Sequence, residues 1–118
     1  MSPIEKTEEE CEKEANDINE IFGDTEFTIC VPIEELDHIL TTGKKLHIEI
    51  SGLFTYDNKN CFEEITSHFI MNKPTGNITQ KDAIFHLKQQ GFKPRGDHVF
   101  LEVFHKIKKN HFSVFMGS

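Results

Sequence analysis

Histidines are the side chains of this protein best suited to bind a metal or to transfer protons. There are seven of them: His38, His47, His68, His86, His98, His105 and His111. A metal site commonly has two histidines four residues apart on a helix or two apart on a strand, because these spacings aim both rings at one point. Neither spacing occurs here. The sequence therefore predicts no metal site, and it gives no sign of a cofactor.

Two of these histidines, His105 and His111, lie on either side of the turn in a predicted C-terminal hairpin. A three-residue loop over 108–110 would pair Ile107 with His111 and place both rings on one face of the sheet. A two-residue loop would place them on opposite faces. The sequence leaves both registers open, and with them the question of whether these two rings can act together on RNA.

Nucleophilic catalysis has little support in the sequence. Cys61 follows a predicted turn, and His68 and His98 are the candidate bases, but no signature links the three residues. A buried cysteine usually acts as a small apolar side chain. Glycine-rich phosphate loops and the G-x-S-x-G motif do not occur. Adjacent carboxylates at 34–35 and 63–64 cannot face one site from a helix or a strand, so no catalytic residue is predicted.

Basic residues cluster in one loop and in the C-terminal hairpin, and they are the candidate phosphate-binding residues. They are Lys93, Arg95, Lys106, Lys108 and Lys109. On one surface they could contact the phosphates of a nucleic acid. Lysines near a hairpin turn also protect a sheet edge from pairing with other chains, and no nucleic-acid-binding signature is present. These basic residues are therefore kept as an alternative binding site, for phosphate groups.

The first forty residues contain thirteen acids and two bases, a formal charge of −11, whereas residues 41–118 carry +4. Like charges one turn apart on a helix cost about 0.2–0.5 kcal/mol per pair, and two lysines compensate little of that cost. A charge distribution of this kind favours association with a basic surface. The candidate partner-binding residues are Glu8, Glu9, Glu12, Asp17 and Glu20.

The whole chain has 118 residues and a formal charge of −7, which is typical of a single domain over 1–118. Eleven Phe, one Tyr and no Trp indicate rings that fill a core rather than stack on nucleic-acid bases. The three cysteines form no C-x-x-C pair, so a cytoplasmic location is expected. The acidic N-terminus does not resemble a signal peptide, and no apolar run is long enough for a membrane span.

Capping residues and apolar spacing predict a helix over 3–22. Ser2 and Glu5 form a capping box around Pro3, and Gly23 is placed to end the helix. One apolar stripe is expected to face the body of the protein: Ile4, Cys11, Ala15, Ile18 and Phe22. The acids occupy the remaining sides of this helix.

Alternating apolar and polar residues predict most of the strands. The segments are 26–31, 45–56, 99–107 and 111–116. Residues 61–71 are ambiguous, because their spacing suits a helix while their position after a turn at 57–60 suits the return strand of a hairpin. We favour the strand.

Two further helices are predicted. The first begins after Pro32, ends at Gly43 and has one apolar face: Ile33, Leu36, Ile39 and Leu40. The second is capped by Thr79 with Asp82 and ends at Gly91. The order is then α-β-α-β-β-α-β-β, and the short turns between late strands predict an α+β fold, with a mainly antiparallel sheet and helices packed on one face.

Three classes of function are consistent with these patterns. The favoured class is a non-enzymatic protein whose acidic surface inhibits or neutralises a basic protein partner, as immunity proteins, antitoxins and nucleic-acid mimics do. The second is a nucleic-acid-binding or RNA-cleaving domain that uses the basic hairpin and the histidines. The third is a structural subunit that docks through its N-terminal helix. The net negative charge repels polyanions, so the full-length chain is not expected to bind nucleic acid.

Overall fold

The computed structural model describes residues 8–56, 61–94 and 99–117. Their elements in chain order are α1 Glu8–Phe22, β1 Thr28–Ile29, a short 3₁₀ helix Ile33–Glu35, β2 Ile39–Thr41, β3 Lys45–Tyr56, β4 Cys61–Asn72, β5 Ile78–Thr79, α2 Gln80–Gln89, β6 Phe100–Lys108 and β7 His111–Gly117.

Five strands form one mixed sheet in the order β1-β6-β7-β3-β4. The pairs β3–β4 and β6–β7 are antiparallel, whereas β1–β6 and β3–β7 are parallel. The fold is α+β as predicted, but the sheet is mixed rather than mainly antiparallel. Short turns determine how neighbouring strands pair, and they carry no information on the parallel contact between β7 and β3. Strands β2 and β5 form a separate antiparallel pair.

One cluster of buried apolar side chains lies on a single face of the five-stranded sheet. Leu46 and Ile48 of β3 belong to it, together with Ile84 and Leu87 of α2, and all four are fully buried. Side chains alternate along a strand, so the residues between them point to the opposite side of the sheet. We call that side the outer face, and exposed residues such as Ile70 lie on it.

Helix α1 docks on the core through its C-terminal half. Phe22 is 2% exposed, and its ring centroid lies 4.7 Å from that of Phe85 in α2. Ile18 and Ile21 are partly buried and pack against the same cluster. Burying a Phe side chain is worth roughly 1.5–3 kcal/mol, so this half of the helix has a substantial anchor.

The predicted N-terminal helix is confirmed over 8–22, and residues 3–7 lie outside the described part of the chain. It ends as predicted at Gly23, whose φ of 69° suits glycine. The predicted apolar stripe is wrong at Ala15, which is exposed. Ile18 and Phe22 do face the core, as does Ile21, which the stripe omits, whereas Ile4 and the side chain of Cys11 lie outside what is described.

The predicted second helix is wrong beyond its first turn. After Pro32 the chain forms only the 3₁₀ helix Ile33–Glu35. Ile39 then lies in β2, where it pairs with Thr79 of β5 and is 55% exposed. The apolar spacing was misleading because the backbone partners of β2 lie far along the chain.

Two other local predictions are confirmed. Lys45–Tyr56 pairs with Cys61–Asn72 as an antiparallel hairpin, so the ambiguous segment is a strand. The Thr79 hydroxyl accepts a hydrogen bond from Asp82 N at 3.2 Å, and the Asp82 carboxylate accepts one from Thr79 N at 3.1 Å. This capping box begins α2. The helix ends before Gly91, whose φ of 70° suits glycine.

The C-terminal hairpin combines a two-residue turn with a β-bulge. Lys108 pairs with His111 across the turn at 109–110, and one extra residue is accommodated between Lys106 and Lys108. The bulge shifts the register, so that His105 pairs with Ser113. His105 and His111 therefore share the outer face. A two-residue loop alone was predicted to separate them.

Candidate functional site

The acidic surface is the solvent-facing side of α1 together with the 3₁₀ helix Ile33–Glu35. Helix α1 contains seven acids and one lysine over Glu8–Phe22. Glu9, Glu12 and Glu20 are exposed, and Asp17 is half-buried. Their position follows from the docking of Phe22 and its neighbours, which turns the apolar side of the helix inward.

A hydrogen bond joins α1 to the second acidic element. Glu14 Oε1 accepts from the backbone N–H of Ile33 at 3.0 Å. This contact holds exposed Glu34 and half-buried Glu35 beside α1. The acidic surface is therefore built from two chain segments rather than from one helix alone.

Lys88 of α2 secures the other end of α1. Its ammonium donates a hydrogen bond to the carbonyl oxygen of Phe22, the last residue of the helix. A cation at a helix C-terminus and acids near its N-terminus both interact favourably with the helix dipole. The arrangement places the acids of α1 on a helix that is tied at its C-terminal end to α2.

The structure places most of the predicted partner-binding residues where a partner can reach them. Glu9, Glu12 and Glu20 are exposed, whereas Asp17 is half-buried and less available. Glu8 begins α1, and its side chain lies outside what is described. Their role in binding remains a prediction.

The predicted basic patch is spread along the fold. Lys93 is exposed in the loop that leads into β6, whereas Lys106, Lys108 and Lys109 are exposed at the far end of that strand. Nine strand residues span roughly 30 Å, which is the length of β6. Arg95 lies outside the described residues, so a common phosphate-binding surface remains a prediction.

A different group, which we call the histidine cluster, is brought together on the outer face by β3, β4 and β7. It consists of His47, His68, His111 and Glu49. His47 Nε2 lies 2.9 Å from His68 Nδ1, and the rings of His47 and His111 are stacked with centroids 4.1 Å apart and planes 5° apart. His47 pairs with His111 in the parallel register, and Glu49 pairs with His68 in the antiparallel one.

Glu49 provides the negative charge of the cluster. Its Oε1 lies 2.8 Å from His111 Nε2, and both side chains are largely shielded from solvent. The contact has the distance of an ion pair but not the alignment of a hydrogen bond, since neither ring nitrogen of His111 has a hydrogen-bond partner. Its strength therefore depends on whether His111 carries a proton.

The surroundings of His47 oppose its protonation. Desolvation lowers the pKa of His47 most, and the positive charges of His111, His68 and Lys108 lower it further. Glu49 acts in the opposite sense but is outweighed. The cluster therefore disfavours a proton on His47, whose ring is stacked on that of His111.

The sequence contains a weak signal for this cluster that spacing rules for metals did not capture. His47 and Glu49 are two apart on a strand and so share a face. The other two histidines join them only through the pairing of strands that are far apart in sequence.

Among residues 8–56, 61–94 and 99–117, no three His, Cys, Asp or Glu side chains converge as metal ligands. Parallel stacked rings cannot aim their nitrogens at one ion.

The one cysteine side chain that the structure describes as free is not an activated nucleophile. Cys30 is an exposed residue, but partial desolvation of its thiol, followed by the charge of Glu102, raises its pKa. The side chain of Cys61, the candidate nucleophile, lies outside the described residues, as does His98. Nothing in the described site therefore adds support for thiol chemistry.

No family model, curated protein or solved structure matches this chain. In the part of the chain that the structure describes, no helix is long and apolar enough to cross a membrane. The two surfaces that can indicate a function are therefore the acidic surface and the histidine cluster.

Proposed function

We propose that this protein is a non-enzymatic cytoplasmic binding protein whose acidic surface inhibits or neutralises a basic protein partner. Its class would be that of immunity proteins, antitoxins and nucleic-acid mimics. The observation that supports this most is the display of exposed acids on a helix that is anchored to the core by Phe22 and to α2 by Lys88.

Anchoring matters because binding has an entropic cost. A charged segment that folds only on contact must lose its conformational freedom at that moment, whereas a docked helix has lost it already. The hydrogen bond from Ile33 N to Glu14 also fixes a second acidic element beside the helix. Such an arrangement accelerates encounter with a basic surface and favours one orientation.

The alternative of a structural subunit is less well supported, because α1 uses its apolar residues internally. Ile18, Ile21 and Phe22 pack on the core. Within the described residues, the large apolar side chains that remain exposed belong to strands and not to α1: Ile39, Ile70, Val103, Ile107 and Phe115. The free side of α1 therefore suits an electrostatic contact better than a hydrophobic one.

The test is a native pull-down followed by measurement of affinity for the captured basic protein. Reversing two exposed acids of the helix (Glu9→Lys with Glu12→Lys) should weaken binding at least tenfold. The matched control reverses two exposed acids elsewhere, Asp37→Lys with Glu102→Lys, and changes the net charge equally. Equal losses in both double variants would show that net charge, and not the acidic surface, determines binding.

A second candidate function is contact with nucleic acid or cleavage of RNA, which the histidine cluster next to Lys108 favours. We expect no measurable binding of single- or double-stranded nucleic acid at 0.15 M salt and pH 7, because the net charge of −7 repels polyanions. Micromolar binding in an anisotropy titration would reverse this ranking. RNA cleavage that is lost in His111→Ala would make the protein an enzyme.

A further inference from the structure

We propose that the histidine cluster is a second, independent binding site, and that its ligand is a small phosphate-bearing anion bound when the cluster takes up protons. The site lies on the outer face of the sheet, on different elements from the acidic surface. Three features of the cluster support such a ligand: the number of protons that its rings can hold, the charges around them, and their exposure.

Proton counting comes from the contact between His47 and His68. Their nitrogens are 2.9 Å apart, so only one proton fits between them, and two imidazolium rings could not keep this contact. His47 is also stacked 4.1 Å from His111. Each further proton therefore places like charges in contact unless an anion is supplied from outside.

The charged groups around the rings do not supply this anion. Of the carboxylates in the described residues, only Glu49 acts electrostatically on His47, and it already faces His111. Lys108 pairs with His111 across the hairpin, and exposed Lys45 lies two residues before His47 on the same face. Protonation thus turns this part of the outer face cationic.

The donors and their exposure suit a phosphate group. His68 is exposed, and the hydroxyls of Ser51 and Thr66, 2.9 Å apart, lie on the same face of the sheet. A phosphate presents several strong acceptor oxygens and titrates near the same pH as imidazole. Charge-assisted hydrogen bonds to it are stronger than those between neutral groups. A long polyanion is disfavoured by the net charge of −7.

The experiment follows the histidine ring signals of the full chain by NMR between pH 5 and pH 8. Inorganic phosphate and sulfate are the probes, and sodium chloride at equal ionic strength is the reference. Sulfate stays a dianion over this range, so it isolates protonation of the protein. We expect both anions to shift the ring signals of His47 and His68 and to raise the apparent pKa of His47. Sulfate should bind at least tenfold more tightly at pH 5.5 than at pH 8.

Variants separate the site from the general charge of the protein. His47→Gln and His68→Gln should each reduce the pH dependence of sulfate binding, whereas His38→Gln, at an exposed position away from the cluster, should not. If His47→Gln unfolds the chain, Lys108→Gln provides the second measurement and should weaken sulfate binding several-fold. Equal shifts with chloride, binding independent of pH, or equal loss in His38→Gln would each overturn the proposal.

Discussion

The acidic surface and the histidine cluster hold charge in opposite ways. On α1 the acids are exposed and repeated along one helix, and one lysine lies among them. In the histidine cluster the charged groups are few, pack ring against ring, and are supplied by three strands. The first arrangement is a permanent field at neutral pH, whereas the second changes its charge as protons bind.

This contrast shows what kind of surface each element can build. A helix displays residues that are close in sequence. When its apolar residues dock on the core, the charged residues of the same segment form one solvent-facing surface. A sheet assembles residues that are far apart, so Glu49 and His68 become neighbours only when β3 and β4 pair. The two proposals can therefore be tested separately.

The largest expected effect comes from undocking α1. Phe22→Ala should destabilise the protein by about 3–5 kcal/mol, because it removes a buried ring and leaves a cavity. Ile18→Asp should also destabilise it by a few kcal/mol, since an unpaired charge would replace a partly buried apolar residue. Urea unfolding followed by circular dichroism measures both changes.

Ile39→Ala is the control for this experiment, because that side chain is 55% exposed. It should change stability by about 0.5 kcal/mol or less. If Phe22→Ala is as stable as this control, α1 is not docked, and the contrast between the two surfaces loses its structural basis.

The next effect concerns the rate of association with the basic partner. Screening lengths are about 10 Å at 0.1 M salt and shorten as salt is added. We expect the on-rate to fall steeply between 0.05 and 0.5 M salt (about tenfold or more) while the off-rate changes less. Stopped-flow or surface-binding kinetics would measure this. An on-rate that is unchanged at 0.5 M salt would contradict electrostatic steering by α1.

The local parts of the fold could be predicted from the sequence. Helix ends at Gly23 and Gly91, and the capping box of Thr79 with Asp82, depend on residues a few positions apart. The acids of α1 belong with them, because they all lie in one short segment of the chain. The parallel pairing of β7 with β3 depends on contacts between distant segments, and local patterns carry no signal for it.

The histidine cluster was missed for the same reason. His47 and Glu49 were visible as neighbours on a strand, but His68 and His111 reach them through two different strand pairings. The face of His105, which lies outside the cluster, was also not predictable, because the bulge in the C-terminal hairpin reverses the face that the turn length alone predicts. The predicted helix at Ile39 was wrong for the same reason, since the backbone there forms a strand that pairs with β5, far along the chain.

The smallest expected effect is the pH dependence of stability, and it distinguishes the two surfaces directly. The pKa of His47 is lowered in the folded protein by desolvation and by its positive neighbours. The unfolded chain therefore binds more protons below about pH 6.5, and the free energy of unfolding must decrease as the pH falls through that value toward the folded pKa. His86 contributes in the same sense, because burial lowers its pKa as well.

In His47→Gln this decrease between pH 7.5 and pH 5.5 should be shallower than in the wild type, because one of the two contributing rings is gone. His38→Gln should keep the wild-type slope. The acids of α1 provide the comparison, since Glu9→Gln removes an exposed acid outside the histidine cluster and should leave the slope unchanged. If His47→Gln and Glu9→Gln give the same slope as the wild type, the cluster does not respond to protons in the folded state. The distinction between a permanent and a titratable surface would then fail, while the case for the acidic surface would stand.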